Sequence, residues 1–513
     1  MREAKSSSRN FFRAATGMNF KRLGNERETS RAPCYNLRDC AAGGTAGWVH
    51  RSSMATFFIE QFGCRATQAD AAAIERQLRD RGYSVSADAS SADVVVVNTC
   101  TVTASADVQA RQAIHTIHRE NPAARIVVTG CYAQRAPEEL ATLKGVAWVV
   151  GNSHKPEIPR LVGEMTPVSF QRSGGGFVPL TSILGEPLSA VRGAAKILTG
   201  DILEQRELLV APVEGGEAGH TRPVLKIQDG CGSRCSYCVI PQVRGRSRSL
   251  APDRVVAEIS RLSDRGAREV VLSGIDLGNY GRDLTPRTGL GGVLRRVLEE
   301  TSVERLRVSS IEPMDVTEDL IGLFAANDRL ARHFHMPMQS GSDPVLAAMR
   351  RWYRAEHYAR RAELVREWLP DAAIGADVMA GFPGETEEDH RATLALIDRI
   401  PLTYLHVFSF SPRPGTPAAE MREHVPSAVI ARRARELRAL GEEKKSAFRA
   451  AQAGRRMRVL TLNRGGEDAS GPWTRALSGN YLDVRVAGRR PANQLVDIQV
   501  IGVMDAHLSG IAV

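Results

Sequence analysis

From residue 54 the chain alternates short apolar runs with stretches of helical periodicity. Phe57–Gln61, Val94–Asn98 (VVVVN) and Ile126–Thr129 read as strands separated by helices, giving a strand–helix alternation over residues 54–165. Such alternation predicts an open parallel α/β sheet. The pattern resumes over 222–430, with strands starting near Val224, Glu269, Arg305, His333, Ala373 and Tyr404 and helices such as 251–266 and 385–400. Six βα units there predict a parallel, barrel-like sheet short of the eightfold form. Arg432–Arg458 reads as a basic helical stretch, a connector over 431–456. Beyond 457, alternating runs at Met457–Leu462, Tyr481–Val486 and Leu495–Val503 predict a small β-barrel of the OB-like, nucleic-acid-binding kind. Residues 1–53 and 166–221 show little periodicity. The first reads as a disordered extension or the product of an upstream start codon, the second as a linker or insertion.

Composition narrows the class. The chain has 513 residues, 43% hydrophobic and 25% charged, ordinary for a soluble protein with a sizeable core. No apolar run is long enough to span a bilayer, so the expectation is no membrane partner. The net charge of +10 is unevenly spread. Residues 1–53 carry ten basic and four acidic side chains, and 431–513 carry fifteen and eight, which leaves 54–430 slightly acidic. A basic terminal module on a near-neutral body is a footprint for a polyanion, although a solvated surface produces the same balance.

The eight cysteines carry the chemistry. In a chain without a signal-peptide core, clustered cysteines point to metal or catalysis in a reducing, cytoplasmic setting. Cys34 and Cys40 fall in the extension and have no assigned role. Cys64, Cys100 and Cys131 each follow an apolar strand, 36 and 31 residues apart. In an open parallel sheet the carboxyl ends of the strands share one edge, where ligands bind. The three are therefore expected to converge there; the alternative is three unrelated thiols buried as small hydrophobes.

Cys231-Gly-Ser-Arg-Cys235-Ser-Tyr-Cys238 is a C-x3-C-x2-C loop just after a strand. A four-ligand zinc site lacks its fourth residue here. Three thiolates can instead hold a cubane iron–sulfur cluster through three irons and leave the fourth open. The spacing, with an aromatic residue before the last cysteine, resembles the signature of radical S-adenosylmethionine enzymes.

The resemblance extends to the methylthiotransferase family over about 55–165 and 220–513. QFGCRATQAD, VVNTCTV and TGCYAQ resemble its three N-terminal cysteine motifs. KIQDGC, VIPQVRGRSRS, VVLSGIDLGNYG, SSIEP, MPMQSGSD, ADVMAGFPGETEED and FSFSPRPGTPA resemble its central domain. The resemblance implies two 4Fe–4S clusters, one on Cys64, Cys100 and Cys131 and one on Cys231, Cys235 and Cys238, together with S-adenosyl-L-methionine. It implies an electron donor such as flavodoxin or ferredoxin, a sulfur donor, and a terminal TRAM-type barrel. Tyr237 is expected beside the cofactor's adenine or as a core aromatic. Ser273, Gly274 and Asp276 are expected near its methionine part, and Glu312 at a ribose or as a structural carboxylate. Arg244, Arg246 and Arg248 are expected to meet RNA phosphate or to lie on a solvated loop. Gly381–Gly384 reads as a tight turn.

Three branches of the family compete. QDGC, RGRSRS and the run His507–Gly510 look most like the branch acting on threonylcarbamoyladenosine beside the tRNA anticodon. The others act on isopentenyladenosine and on an aspartate of a ribosomal protein. A redox iron–sulfur protein or a non-catalytic RNA-binding module are the readings from other classes. The departure from the family is the long 166–221 stretch. The basic tail is expected to be separable, so that a cut after about residue 440 weakens tRNA binding and leaves cofactor cleavage measurable.

Deleting residues 1–53 removes no predicted core or motif residue. Soluble expression and activity should survive it, and loss of soluble protein in an expression trial would contradict that reading.

Overall fold

A computed structural model of the protein describes residues 55–165, 195–206, 208–209, 221–504 and 506–513. The expectations for residues 1–53, including Cys34 and Cys40, and for most of 166–221 lie outside the described residues.

The first sheet comprises β1 (Thr56–Gln61), β2 (Ser84–Val85), β3 (Val94–Thr99), β4 (Arg125–Gly130), β5 (Val146–Gly151) and β6 (Lys196–Leu198). Their order is β2-β1-β3-β4-β5-β6, with every pairing parallel. The four-valine run of β3 is buried throughout, as a central strand covered on both faces must be. Strand β6 falls inside the stretch read as a linker. At three residues it is too short to show periodicity, yet it adds the sixth strand of the sheet.

In the central region β7 (Val224–Lys226), β10 (Glu269–Ser273) and β11 (Arg305–Val308) form one parallel sheet, while β8 (Gln228–Asp229) and β9 (Arg248–Ser249) make a short antiparallel pair. Strands β12 (His333–His335), β13 (Ala373–Ala380) and β14 (Tyr404–Ser409) form a second parallel sheet. Parallel bridges between Leu306 and Leu330 and between Ser310 and His335 join the two into one arc of six strands. All six begin where the sequence pattern places them.

The strands alternate between two very different faces. Leu225, Val270, Leu272, Leu306, Val308, Phe334, Ile374, Ala376 and Val378 belong to the main apolar core beneath the helices. The intervening positions hold Lys226, Glu269, Arg305, Arg307, His333 and His335, all buried. The inner face of the arc is thus polar, and its charges find partners both on the arc, as Arg307 does in Glu269, and beyond it, as Lys226 does in Asp70.

The tail forms a closed five-stranded barrel of β15 (Arg456–Asp468), β16 (Gly471–Ser478), β17 (Asp483–Ala487), β18 (Leu495–Val503) and β19 (Leu508–Ala512). The strand pattern had shown three of the five. Tyr481 lies in the turn before β17 with φ +67°, and its ring stacks on His333 at 4.5 Å between centroids. The helix Ser427–Ala450 leads into this barrel and packs Gly441 against Leu405 of β14.

The tail is not a detachable module. Arg305 donates to the carbonyl of Arg458 (2.7 Å), and Arg307 donates to those of Ser478 and Gly479 (3.0 Å each). Glu269, without exposed surface, accepts from Arg307 at 2.8 Å and lies between Arg305 and Arg222. A cut after residue 440 would interrupt the connecting helix and strip these buried guanidinium groups of their carbonyl partners. Clean separation of RNA binding from cofactor cleavage is therefore not what such a cut should produce.

Burial pushes the Glu269 carboxyl up, but the three arginines outweigh it and hold the carboxyl down at about 2. Its contribution to stability should be complete above the ordinary glutamate value of 4.5 and fade as pH falls towards about 2. Glu269→Ala leaves buried cations unpaired and should cost about 3–5 kcal/mol. Thermal melts of the wild type and variant at neutral pH check this, and equal midpoints would contradict it.

Candidate active site

The N-terminal trio forms at the carboxyl edge of three adjacent strands. Cys64 is the N-cap of the helix Arg65–Asp80 after β1, Cys100 follows the last residue of β3, and Cys131 opens the helix Cys131–Arg135 directly after β4. Two glycines make the approach possible. Gly63 has φ +103°, and a Cβ there would fall 2.6 Å from Cys100 Cβ. Gly130 has φ +100°, and a Cβ there would fall 2.3 Å from the Thr99 carbonyl oxygen. Cys100 and Cys131 are buried and Cys64 is exposed. Burial, reinforced by the neighbouring Cys131 and Cys64, pushes the Cys100 thiol up to about 12. Thiols so placed ionise together only if a cation compensates them.

The central triplet lies on the loop after β8. Cys231 Sγ is 3.4 Å from Asp276 Oδ2, and the backbone N–H of Cys238 donates to the Cys235 carbonyl at 3.1 Å. Burial pushes both Cys231 and Cys238 up to about 12, with Asp276 adding to the first and Cys235 to the second. Arg351 donates to Cys235 Sγ at 3.4 Å and is ion-paired with Glu312. The Arg351 guanidinium also lies over the Tyr353 ring, 4.9 Å from its centroid. The Glu312 carboxyl is pushed up by burial against the pull of Arg351.

A cavity of about 1020 Å³ opens over this loop, lined by Cys231, Asp276 and Glu312 among others. Arg234 and Arg246 stand exposed at its edge, as does Trp352. Asp276 Oδ1 is buried without a hydrogen-bond partner among the described residues. Gln228 Oε1 accepts from the backbone N–H groups of Ile275 (2.9 Å) and Asp276 (2.8 Å), so the 273–276 turn is clasped to the cysteine loop. Gly274 permits that clasp, because a Cβ there would lie 2.9 Å from Gln228 Oε1. Ser273 is buried at the end of β10 and does not line the cavity. Tyr237 packs edge-on against Phe382 at 6.5 Å, in a small apolar cluster with Val345 and Met349. The Gly381–Gly384 segment is a turn whose Gly381 N–H donates to Glu385 at 2.7 Å.

The two trios are neighbours. The short helix Ile240–Arg244 leaves the central triplet, and Val239 and Val243 pack against Cys131. Asn152 joins the same contact, donating to the Val243 carbonyl at 2.7 Å. Beneath lies a buried ion network. Asp70 accepts from Lys155 (2.7 Å), Arg244 (3.1 Å) and Lys226; Asp229 accepts from Arg244 (2.8 Å) and Lys226 (2.9 Å), with Arg248 at 3.8 Å. Burial pushes both carboxyls up, but the surrounding cations outweigh it and hold them well below the usual carboxylate range. Four cations thus share two carboxylates in a water-poor pocket, and the Arg244 guanidinium is also within electrostatic reach of Cys131 and Cys64. Excess buried positive charge needs a neighbouring anion. A thiolate-ligated cluster is such an anion, so the donor set and its charge fit that group.

Two of the three expected phosphate-contacting arginines are placed otherwise. Arg244 is 2% exposed and Arg248 8%, both committed to the Asp70–Asp229 network, whereas Arg246 is exposed. The sequence reading missed Asp70, Lys155, Lys226, Gln228 and Arg351. Asp70 had a signal: it stands in line with Ala66 and Ile74 on the buried stripe of its helix, where a lone carboxylate demands a partner. Arg351 had none, because its partners come from distant strand ends.

Comparisons with known proteins agree with this architecture. Residues 56–151 match the uncharacterized protein family UPF0004, and residues 225–397 match the radical SAM superfamily. A threonylcarbamoyladenosine tRNA methylthiotransferase MtaB of Aquifex aeolicus is 35% identical over 86% of this chain and 99% of its own length. The corresponding Bacillus subtilis protein is 34% identical over 76% and 81%. A tRNA-2-methylthio-N(6)-dimethylallyladenosine synthase of Syntrophobacter fumaroxidans is 35% identical over 75% and 79%. Among solved structures, the radical S-adenosylmethionine methyltransferase TsrM of Kitasatospora setae shares the fold, with TM-score 0.50 and 18% identity over 71% of this chain and 77% of that one. The chain belongs to the radical S-adenosylmethionine methylthiotransferase family. It is therefore an enzyme of the radical SAM class, whose cofactors are 4Fe–4S clusters and S-adenosyl-L-methionine.

Proposed function

We propose that the enzyme adds a methylthio group to C2 of N6-threonylcarbamoyladenosine next to the tRNA anticodon, with Cys64, Cys100 and Cys131 holding one 4Fe–4S cluster and Cys231, Cys235 and Cys238 the other. The observation that carries the reading is the packing of Val239 and Val243, just beyond Cys238, on Cys131. That contact brings the chain just beyond the central triplet against Cys131, which supports a centre shared by the two trios, as transfer of a sulfur to an unreactive carbon requires. When bound, the clusters and S-adenosyl-L-methionine supply radical cleavage chemistry and a transferable, methylatable sulfur.

The chain's own groups orient and enclose. Arg351 ties Cys235 to Glu312, so the cysteine loop and the carboxylate at the end of β11 keep one spacing. Asp276, with one oxygen at Cys231 and the other unpartnered, presents an acceptor to a cationic or N–H-bearing ligand in the cavity. Arg234 and Arg246 stand at the rim, where RNA phosphates would pass. An anticodon loop offers unstacked bases that can be turned into such a cavity. The reading places the protein in the cytoplasm, served by an electron donor such as flavodoxin or ferredoxin and by a sulfur donor. A second reading has a specific observation behind it: relatives named for dimethylallyladenosine match at a similar level of identity.

Mass spectrometry of tRNA nucleosides from a strain lacking the protein separates the two. Loss of the 2-methylthio form of threonylcarbamoyladenosine is expected; loss of the isopentenyl form instead would establish the second reading. The trios should also be separable. Cys235→Ala should abolish S-adenosylmethionine cleavage. Cys100→Ala should keep it detectable while no methylthio group reaches tRNA. Iron should fall from about eight to about four per chain in either variant. Methylthiolation by Cys100→Ala would refute the role given to the N-terminal trio.

A further inference from the structure

The polar inner face of the second half-barrel holds a cluster that neither trio uses. His335 ends β12, Asp377 lies in β13, and His406 sits directly opposite Asp377 in the β13–β14 ladder. One ligand atom from each lies within 4.8 Å of the other two. His335 Nε2 is 3.1 Å from Asp377 Oδ1, and His406 Nδ1 is 3.2 Å from the same oxygen. None of the three lines the cavity over Cys231.

We propose that His335, Asp377 and His406 form a binding site for a single divalent transition-metal ion of the zinc type, with the remaining coordination positions open to water. Two imidazoles and one carboxylate are the donor set of three-ligand sites for such ions. Separations of 3.1 and 3.2 Å are close to the edge of a tetrahedron whose corners lie about 2.0–2.1 Å from a central ion. His335 Nε2 is buried and, despite its nearness to Asp377, has no aligned hydrogen-bond partner among the described residues. His406 Nδ1 does lie within hydrogen-bond reach of Asp377 Oδ1, so the unpartnered nitrogen is that of His335 alone, an imidazole turned towards a shared centre with no proton partner of its own.

The surroundings supply the outer support such sites use. His335 Nδ1 is held by Ser310 Oγ at 2.8 Å across the bridge that joins the two half-sheets, which orients the ring and leaves Nε2 towards Asp377. The His335 residue is only 8% exposed, so its ring has little freedom to turn away. The His406 side chain is 53% exposed, which gives an ion a path from solvent.

The test equilibrates protein with loaded iron–sulfur sites against zinc, removes free metal by gel filtration, and measures zinc and iron per chain by mass spectrometry. Wild type should retain about one equivalent of zinc more than His406→Ala and Asp377→Asn, at equal iron. All three proteins contain the same six motif cysteines, so zinc taken up by thiols cancels in the comparison. Should Asp377→Asn fail to fold, His406→Ala carries the test alone, since its side chain is half in solvent and equal iron reports an intact fold. Equal zinc in wild type and variants, whether one equivalent or none, would overturn the proposal and leave the cluster as two imidazoles sharing a carboxylate through protons.

Discussion

The structure depends on the buried network in which Asp70 and Asp229 are held by Lys155, Lys226, Arg244 and Arg248. Asp70 and Lys155 come from the first domain, and the remaining four from the strands and loop around the central triplet. Each ion loses its hydration on burial, a cost of several kcal/mol per ion that only near-complete pairing offsets. The network therefore tolerates one docking geometry of the first sheet on the barrel, and that geometry brings Cys131 against Val239 and Val243. A second buried pairing repeats the logic from another side, where Arg413 reaches Asp107 and donates to Thr101 at 2.9 Å. Apolar packing alone would stabilise the contact but would specify its angle less sharply.

The same principle extends to the tail. Glu269, Arg305 and Arg307 occupy inward positions of their strands, and backbone carbonyls of the terminal barrel, Arg458 in β15 and Ser478 and Gly479 at the end of β16, supply the remaining acceptors of the two arginines. Arg65, next to Cys64, donates to Tyr481 at 3.2 Å, so the first and last domains also touch. Charge that reads as a nucleic-acid footprint at the level of composition is partly structural here. Among the tail's arginines, Arg449 is buried, and Arg475 is paired with Asp483 at 2.6 Å.

The legible parts of the fold were those governed by local rules. Six strand starts in the barrel followed from apolar runs alternating with helical stretches, and the convergence of Cys64, Cys100 and Cys131 followed from the common edge of a parallel sheet. Strands β6 and β19 escaped because they are short, and β16 because the Gly471-Pro472 pair at its start reads as a turn. The polar lining of the barrel escaped for a different reason. Lys226, Arg305 and His333 sit at strand positions where an apolar residue is expected, and only their tertiary partners explain them. Arg244 and Arg248 show the converse error: a basic run beside a cluster loop looks solvent-facing until the carboxylates of another domain are placed against it.

The buried ion network, by fixing how the first sheet docks on the barrel, holds the two trios near one another. Electron paramagnetic resonance of the reduced, fully loaded enzyme tests it most directly, because two paramagnetic clusters held close broaden and relax one another. Wild type should show that mutual interaction. Asp70→Asn should retain the iron of both clusters but lose much of the interaction as the domains loosen. An unchanged interaction in Asp70→Asn, with iron retained, would show that the cysteine trios are positioned by something other than the buried charges.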